Sequence, residues 1–467
     1  MNNKKSRILG AVLSVAVLIG MYFVPESIGL GRAGINTLGV LIAMILAMVL
    51  EPLPLGVICM LGIPLMVIFG VTPNISQALS GYTHYILFFV LVSFGISEAI
   101  ARVPLSNRLL ALLIRIFGTK TKNILLAFML CAALLSSIMS NVATTAVLVS
   151  VVSNFLHVYE DEQKRLHSGK AFMIGLPIAS MIGGMMTPAG SPLNMLGMDF
   201  LEEAGIRISF VQWMAIGIPI AIVCLFAAWK ITMLVFKPAE IDADSVNRYM
   251  RSLDIPKQLS FKEKYVGVVV SALFILWVLS SWFPVLNITV VGMVGFAFLF
   301  VPGVEIFTWK EYSQCVSWTS FFLIGTMMSL GNALSANGVS TWLVNLLFDG
   351  QMNLPVHLIA ALISLLVFLL LIPIPIGPAL ITMLGGPLIS VAGLWEVSPA
   401  LLIVPLVICA SCCFLLPLDT VPLLTYSTGY YKMTDMPKVS APVQAVILLC
   451  VTLWVPVALR LLGFLTM

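Results

Sequence analysis

The stretch LLSSIMSNVATTAVLVSV, Leu134 to Val151, interrupts an apolar run with hydroxyl and amide side chains. A polar group left without a partner in hydrocarbon costs several kcal/mol, so these side chains need partners or ligands. Irregular backbone at membrane depth survives only where protein or a watery cavity surrounds it. We therefore interpret residues 122–157 as a re-entrant hairpin with Ser140 and Asn141 at its tip. The apolar pair 355–393, which is broken by prolines, has the same interpretation.

The composition of the whole chain is that of a polytopic membrane protein. Of its 467 residues, 60% are hydrophobic and 9% are charged, whereas roughly one quarter of a soluble domain is charged. Apolar runs of roughly 17 to 25 residues, the length that crosses a bilayer, recur along most of the chain. The runs that we predict to be transmembrane helices, eleven in all, are 8–24, 33–50, 55–71, 84–101, 171–187, 212–236, 264–281, 287–302, 318–336, 399–416 and 440–462.

Lysine and arginine sort to one side of this arrangement when the N-terminus is placed in the cytoplasm. All but four of the 24 basic residues then lie in cytoplasmic segments, as the excess of Lys and Arg in cytoplasmic loops requires. Lys230 lies at a cytoplasmic helix end, and Arg32, Arg207 and Arg460 face outward. The net charge of +4 is explained in this way without a nucleic-acid partner. We expect a multi-pass protein of the plasma membrane, surrounded by lipid.

The two halves of the chain resemble each other. At a constant offset of 234 in the numbering, Phe88 to Leu109 falls on Phe322 to Leu343, with apolar residues matched to apolar ones. Each half holds five predicted crossings and one hairpin, and an odd number of crossings turns the second copy upside down. We therefore predict an all-α membrane protein of two inverted repeats, an architecture typical of secondary transporters. The predicted segments are an N-terminal helix (1–32), a first repeat (33–236), a cytoplasmic linker (237–263) and a second repeat (264–467).

A second polar break follows in the first half, at GGMMTPAGSPLNML, Gly183 to Leu196. Glycine lets a backbone carbonyl approach a cation, and proline frees a carbonyl because it lacks the N–H donor. Carbonyl and hydroxyl oxygens suit Na⁺, and the N-termini of half-helices suit carboxylates. The alternative is that the polar side chains only join packed helices by hydrogen bonds. The presence of both breaks in one half favours ligand binding.

These motifs resemble those of the divalent anion:sodium symporters, which carry dicarboxylates, citrate or sulfate. SNVAT (Ser140 to Thr144) is similar to their Ser-Asn-Thr signature, and GSPLN (Gly190 to Asn194) to their Gly-Thr-Pro-Pro-Asn break. LEPLPLG and GYYKMTDM extend the resemblance over most of the chain. It implies a dimeric secondary transporter of small anions, dicarboxylates first, which is driven by a Na⁺ or H⁺ gradient. It also implies an elevator motion, in which a hairpin-bearing bundle slides against a fixed scaffold.

The resemblance further implies which residues bind the two ions. The residues expected to line a sodium site are Ser136, Ser140, Asn141 and Gly190. The residues expected to contact the anion are Asn141, Thr144, Asn194, Pro375, Gly377 and Thr420. The third position of the Ser-Asn-Thr signature departs from the family, because Val142 stands where the family has threonine.

The second half departs further from the pattern. The offset of 234 places Ile374 to Gly377 where a second signature would stand, so this break offers carbonyls but no side-chain ligands. Aligning Pro188 with Pro417 places Asp419 at the position of Gly190, which puts a second sodium site of the usual type in doubt. Asp419 is interpreted either as the N-cap of a helix that restarts at Thr420 or as a carrier of a proton or cation.

Other residues favour structural roles. The four histidines, among them His84, are interpreted as interfacial or loop residues, and Glu98 as an ion-pair partner of Arg102 rather than a proton carrier. Residues 102–118 are predicted to be amphipathic and to lie along the cytoplasmic interface. The rival functions are an ion antiporter, an oxyanion exporter and an intramembrane enzyme. An enzyme would need paired acid and base groups at membrane depth, where the chain has mainly solitary carboxylates, so we expect neither catalysis nor a cofactor besides Na⁺.

Overall fold

Helices form all of the regular secondary structure in the residues that the computed structural model describes, which are 4–26, 29–252, 255–256, 258–283, 285–347 and 354–465. The predicted all-helical class is therefore confirmed for these ranges. In chain order the α-helices are α1 (Lys4–Tyr22), α2 (Arg32–Leu50), α3 (Leu55–Ile68), α4 (Ile75–Ala78), α5 (Tyr85–Ala101), α6 (Leu105–Phe117), α7 (Thr121–Ser136), α8 (Asn141–Leu156), α9 (Glu162–Gly184), α10 (Pro192–Glu203), α11 (Phe210–Phe236), α12 (Ala243–Ser252), α13 (Phe261–Leu279), α14 (Ile288–Phe298), α15 (Trp309–Cys315), α16 (Trp318–Ala336), α17 (Val339–Leu347), α18 (Val356–Leu370), α19 (Gly377–Leu394), α20 (Ala400–Ala410), α21 (Thr420–Tyr426) and α22 (Pro437–Leu461). Parts of three predicted segments lie outside the described residues, namely 1–3 and 27–28 of the first, 253–254 and 257 of the linker, and 284, 348–353 and 466–467 of the second repeat.

A helix occupies each predicted crossing and each arm of both predicted hairpins. By length and apolar composition, α2, α11, α19 and the segment Met433–Leu461 each suffice to cross a bilayer, and α5 with α6 qualifies as a pair bent by 64°. Seven further apolar helices of the described residues, among them α3, α7 and α8, are only 10–17 residues long, shorter than the roughly 20 residues that a perpendicular crossing needs. The number of crossings and the re-entrance of the hairpins stay predictions.

The predicted span 399–416 is wrong in its length. The helix α20 ends at Ala410, and the chain is irregular from Ser411 to Asp419. Pro417, inside this irregular stretch, has no N–H to donate to the carbonyl of Cys413, so a helix does not continue through it. The second half therefore has a long non-helical break, which matches in kind the break between α9 and α10.

The segment after α5 turns sharply and is amphipathic, as predicted. α6 follows α5 at a 64° bend, with Leu110 and Ile114 buried and Leu112 and Ile116 exposed. At the bend, Arg102 donates from Nε to Glu98 Oε1 at 2.7 Å and from Nη1 to Glu311 Oε1 at 2.8 Å. The predicted ion pair is confirmed, and it extends to α15 in the second half.

Helix positions recur between the halves. The offset that relates the two sequence halves also relates the first residues of α4 and α15, which are Ile75 and Trp309, and those of α6 and α17. Two tyrosines make reciprocal contacts: Tyr82, ahead of α5, donates its hydroxyl to the carbonyl of Phe322 in α16 at 3.0 Å. Tyr312 of α15 donates to the carbonyl of Leu91 in α5 at 3.0 Å. Both observations support a repeat, whose inverted orientation stays a prediction.

The linker is held to the first half at both of its ends. Near one end, the carbonyl of Ala239 accepts hydrogen bonds from the hydroxyls of Thr121 in α7 at 3.2 Å and of Tyr159 at 2.8 Å. At the other end, Arg108 of α6 donates from Nε to Glu263 Oε1 at 2.6 Å and from Nη2 to the carbonyl of Gln258 at 3.2 Å. The side chain of Glu263 is 1% exposed, and the hydrogen bond from Arg108 outweighs burial and lowers its pKa to about 2. The carboxyl of Glu263 is therefore ionised at neutral pH.

Candidate ion and anion site

The tip between α7 and α8 leaves backbone donors free. α7 ends at Ser136, α8 begins at Asn141, and no side chain caps the N-terminus of α8. The first intrahelical bond runs from the N–H of Thr144 to the carbonyl of Ser140 at 2.9 Å, so the N–H groups before Thr144 have no partner within the helix. A bare helix N-terminus of this kind attracts anions.

Polar side chains surround this tip at close range. Ser136 donates its hydroxyl to Asn141 Oδ1 at 2.6 Å, and the backbone N–H of Ser140 donates to the hydroxyl of Ser97 in α5 at 3.0 Å. The Asn141 amide lies directly on Gly184, where a Cβ would come within 2.2 Å of Asn141 Oδ1. Thr144 is fully buried, and its hydroxyl has no hydrogen-bond partner among the described residues.

The break between α9 and α10 closes against the same tip. The Thr187 hydroxyl donates to the carbonyl of Ser137. Asn194 Nδ2 donates to the carbonyls of Gly184 and Thr187, both at 2.8 Å. Asn194 Oδ1 is buried and has no hydrogen-bond partner in the described part of the chain. Hairpin tip and helix break thus form one cluster, which we call the first-tip cluster.

Gly190 lies where oxygens of both segments converge. A Cβ on Gly190 would be 2.6 Å from the carbonyl oxygen of Gly184 and 2.9 Å from that of Ser136. Neither Leu134–Val151 nor Gly183–Leu196 contains a lysine or arginine. A cluster of carbonyl, amide and hydroxyl oxygens without a cationic side chain fits a hard cation such as Na⁺. The sequence-predicted Ser136, Asn141, Gly190 and Asn194 are brought together here.

The second half brings an apolar tip close to the first-tip cluster. No side chain caps α19, whose N-cap residue is Ile376. A Cβ on Gly377 would be 3.0 Å from Leu193 Cδ1, in the first turn of α10 beside Asn194. Pro375 lines a narrow cleft together with Leu418. Of the predicted anion ligands, Pro375 and Gly377 therefore lie at this second tip, and none of the described contacts joins Thr420 to the first-tip cluster.

Asp419 caps the helix that restarts after the second break. Its Oδ1 accepts a hydrogen bond from the N–H of Val421 at 3.1 Å, which is the predicted capping bond. The helix that it starts, α21, packs against α8 and α9. Asp419 forms no salt bridge with any of the described residues.

Sequence reasoning missed four contributors to this region. Gly184 and Thr187 complete the first-tip cluster, and the adjacent glycines at 183–184 were a signal for the close approach of Asn141. His84 is not only an interfacial residue, because its Nε2 lies 3.2 Å from Asp199 Oδ1 in α10. Tyr85 donates its hydroxyl to the same Asp199 oxygen at 3.1 Å. These contacts fix α10, which carries Asn194, against the start of α5.

Known proteins resemble the chain over nearly its whole length. The family described as "Sodium:sulfate symporter transmembrane region" matches residues 5–464. A sodium-dependent dicarboxylate transporter SdcS of Staphylococcus saprophyticus is 26% identical over 463 residues, which cover 92% of this chain and 86% of that protein. The SdcS of Staphylococcus aureus strain USA300 is 25% identical with the same coverage. The solved YdaH transporter of Alcanivorax borkumensis matches with a TM-score of 0.46 and 13% identity over 83% of this chain and 88% of its own. Because the family match spans almost the entire chain, the protein belongs to the sodium:sulfate symporter family.

Proposed function

We propose that the protein is a secondary active transporter that moves a small anion across the membrane together with Na⁺. The observation that carries this proposal is the first-tip cluster, where cation-binding oxygens adjoin a bare helix N-terminus. The relatives are sodium-dependent dicarboxylate transporters, so dicarboxylates are the first substrates to test. Membership of a transporter family also argues against an enzyme.

Each ion has its own ligands in this proposal. Na⁺ is bound by oxygens of Ser136, Ser140, Asn141 and Gly190, with the carbonyl of Gly184 beside them. The anion is bound by the N–H groups of α8 and by the unpartnered hydroxyl of Thr144. Since the cluster contains no lysine or arginine, the bound Na⁺ supplies the positive charge that the anion needs. Coupling follows because each ion improves the site for the other.

Further anion contacts come from Asn194, whose Oδ1 is unpartnered, and from Pro375, Gly377 and Thr420 of the second half. We infer that the hairpin-bearing bundle moves as an elevator within a homodimer in the plasma membrane. The recurrence of helix starts at one constant offset supports two repeats, and the sorting of Lys and Arg supports a cytoplasmic N-terminus. In the alternative functions, an antiporter or an oxyanion exporter, the same cluster would bind the ions, but the directions in which they cross the membrane would be opposite.

Reconstitution tests the proposal directly. Purified protein in liposomes should take up labelled succinate, citrate or sulfate when Na⁺ is outside, and uptake should collapse when choline replaces Na⁺. Succinate is expected to be the best of these three anions. Preloading with unlabelled anion separates symport from exchange. If liposomes that contain the protein take up no more labelled anion than protein-free liposomes, with either a Na⁺ or a H⁺ gradient, the protein does not transport these anions.

Labelling of the linker tests the orientation. Ser245 lies in α12, so Ser245→Cys should react with an impermeant maleimide only after cells are opened. Val285 is 89% exposed at the opposite predicted side, so Val285→Cys is the matched control and should react in intact cells. The wild type gives the background, since six of the eight native cysteines are buried. Labelling of Ser245→Cys but not of Val285→Cys in intact cells would contradict the predicted topology.

Substitution of Asp419 separates its two predicted roles. Asparagine preserves an N-cap, whereas alanine removes one at a cost of about 1 kcal/mol. We expect Asp419→Asn to keep the thermal stability of the protein and to flatten the pH dependence of uptake, because only the carboxylate can carry a proton or pair with a cation. Asp419→Ala is the control for the lost cap. A wild-type pH profile and ion dependence in Asp419→Asn would leave the capping role alone.

A further inference from the structure

Three hydrogen bonds bring basic residues of separate segments together at the turn between α6 and α7. The indole N–H of Trp229 donates to the carbonyl of Lys122 at 2.8 Å, which places the last turns of α11 beside this turn. The hydroxyl of Thr121 donates to the carbonyl of Ala239 at 3.2 Å and accepts the N–H of Ile241 at 2.9 Å, which brings the start of the linker to the same place. We call the basic residues of these segments the turn patch: Arg115, Lys120, Lys122, Lys230 and Lys237.

The turn patch carries positive charge without counter-ions. All five side chains are exposed, and none of them forms a salt bridge with any residue that the structure describes. The adjoining start of the linker supplies two acidic residues, Glu240 and Asp242, so the region keeps a net positive charge. A surface of this kind attracts anions.

The position of Lys230 along α11 corresponds to a membrane–water interface. The helix begins at Phe210, and Lys230 lies 20 residues further on. At a rise of 1.5 Å per residue this distance is about 30 Å, the thickness of the hydrocarbon core. The neighbouring Trp229 is a residue type that is enriched at such interfaces. The sorting of Lys and Arg places this end of α11 on the cytoplasmic side, where the leaflet carries anionic lipids.

Exposed apolar side chains lie next to the turn patch on both helices. On α11, Val223 and Phe226 precede Lys230 by about two turns and one turn and are exposed on the same face. On α6, Leu112 and Ile116 are exposed. A soluble polyanion such as a nucleic acid gains nothing from these apolar neighbours. A phospholipid has a phosphate for the basic residues and acyl chains for the apolar ones.

We propose that the turn patch binds the head group of an anionic phospholipid of the cytoplasmic leaflet. The phosphate lies among Lys120, Lys122 and Lys230, and the acyl chains lie along the exposed apolar side chains of α6 and α11. Because α7 begins at this turn, the bound lipid fixes the base of the first predicted hairpin at the membrane surface. Lipid binding here is independent of the ions that the first-tip cluster binds.

Lipid retention by the purified full-length protein tests the site. The protein in a neutral detergent is incubated with phosphatidylglycerol or with phosphatidylcholine of the same acyl chains, and native mass spectrometry measures the bound lipid. We expect tighter binding of phosphatidylglycerol. A lysine beside anionic lipid contributes about fivefold to affinity, so the triple variant Lys120→Gln, Lys122→Gln, Lys230→Gln should bind phosphatidylglycerol at least about tenfold more weakly. Equal binding of the two lipids by the wild type would overturn the proposal.

A matched triple variant removes the same charge elsewhere on the predicted cytoplasmic side. Lys164, Lys264 and Lys310 are exposed and form no salt bridge within the described ranges. Their joint replacement by glutamine should leave the binding of phosphatidylglycerol at the wild-type level. An equal loss in both triple variants would show attraction to net charge alone and contradict the site. Thermal unfolding in the neutral detergent, expected to be the same for all three proteins, separates lost binding from lost folding.

A pair of substitutions on α6 tests the acyl-chain contact. Leu112→Ser combined with Ile116→Ser keeps every charge of the turn patch and removes exposed apolar surface, so binding of phosphatidylglycerol should weaken several-fold. Unchanged binding by this variant, or displacement of phosphatidylglycerol from the wild type by inorganic phosphate, would show that the patch holds a phosphate group alone. Either result would overturn the lipid as the occupant.

Discussion

Asn141→Ala should lower Na⁺-driven uptake by about 100-fold or more. The amide oxygen of Asn141 accepts a hydrogen bond from the Ser136 hydroxyl at 2.6 Å, and Asn141 is the first residue of α8, whose N-terminus has no side-chain cap. In the proposed site Asn141 therefore contacts both ions. Each hydrogen bond to a charged group is worth about 1.5–3 kcal/mol, and two of them account for a loss of this size. Initial uptake rates at saturating Na⁺, measured in proteoliposomes with equal protein content, give the result.

A matched control lies on the same helix. Asn154 is an exposed residue in the last turn of α8, so Asn154→Ala changes the same side chain away from the cluster and should leave uptake near the wild-type rate. Size-exclusion profiles and thermal unfolding of both variants show whether the fold is retained. Near wild-type transport with unchanged KM in a folded Asn141→Ala protein would remove Asn141 from the site.

Gly184→Ala is expected to have the second largest effect. The added Cβ would lie 2.2 Å from Asn141 Oδ1 and 2.8 Å from its Nδ2, so the amide must shift and lose the geometry of its bond with Ser136. Overpacking of this kind costs about 1–3 kcal/mol, and we expect at least tenfold slower uptake together with a weaker response to Na⁺. Titration of uptake against Na⁺ concentration measures both quantities.

Gly267 supplies the control for a glycine within a helix. It lies in α13 with no atom within 4 Å of the position of a Cβ, so Gly267→Ala should leave uptake and stability unchanged or slightly raise stability. If Gly184→Ala transports with the Na⁺ response of the wild type, the close approach of Asn141 to Gly184 is not needed for binding.

Local patterns in the sequence predicted the helices and both breaks well. Apolar runs and the polar residues at Ser140 and Asn141 are local signals, because each reports the surroundings of its own segment. The length of α20 was missed because the residues around Ser411 are apolar enough to continue a helix. Only the tertiary structure shows that Gln444 of α22 satisfies the carbonyl of Cys412 there instead.

The candidate site was predictable in its motifs and not in its assembly. Ser136, Asn141, Gly190 and Asn194 were identified from the two breaks, which are far apart in the sequence. Two contacts assemble the site: the hydrogen bond from the Thr187 hydroxyl to the Ser137 carbonyl, and the close approach of the Asn141 amide to Gly184. Both join segments that are separate in the sequence, so no periodicity predicts them. For the same reason the sequence gives no sign of the contact between His84 and Asp199, since the two residues are remote in sequence.

Some residues near the start of the chain contact residues that are synthesised much later. Arg108 meets Glu263 155 residues further along, and Tyr82 meets Thr326 244 residues further along. At about 5–20 residues per second, Glu263 is made about 8 to 30 s after Arg108. During that interval the guanidinium of Arg108 lacks the Glu263 carboxylate and must be solvated in another way. A chain ended at Phe236 should therefore be degraded faster in a pulse-chase experiment than the full chain, and separate expression of residues 237–467 in the same cell should lengthen its half-life.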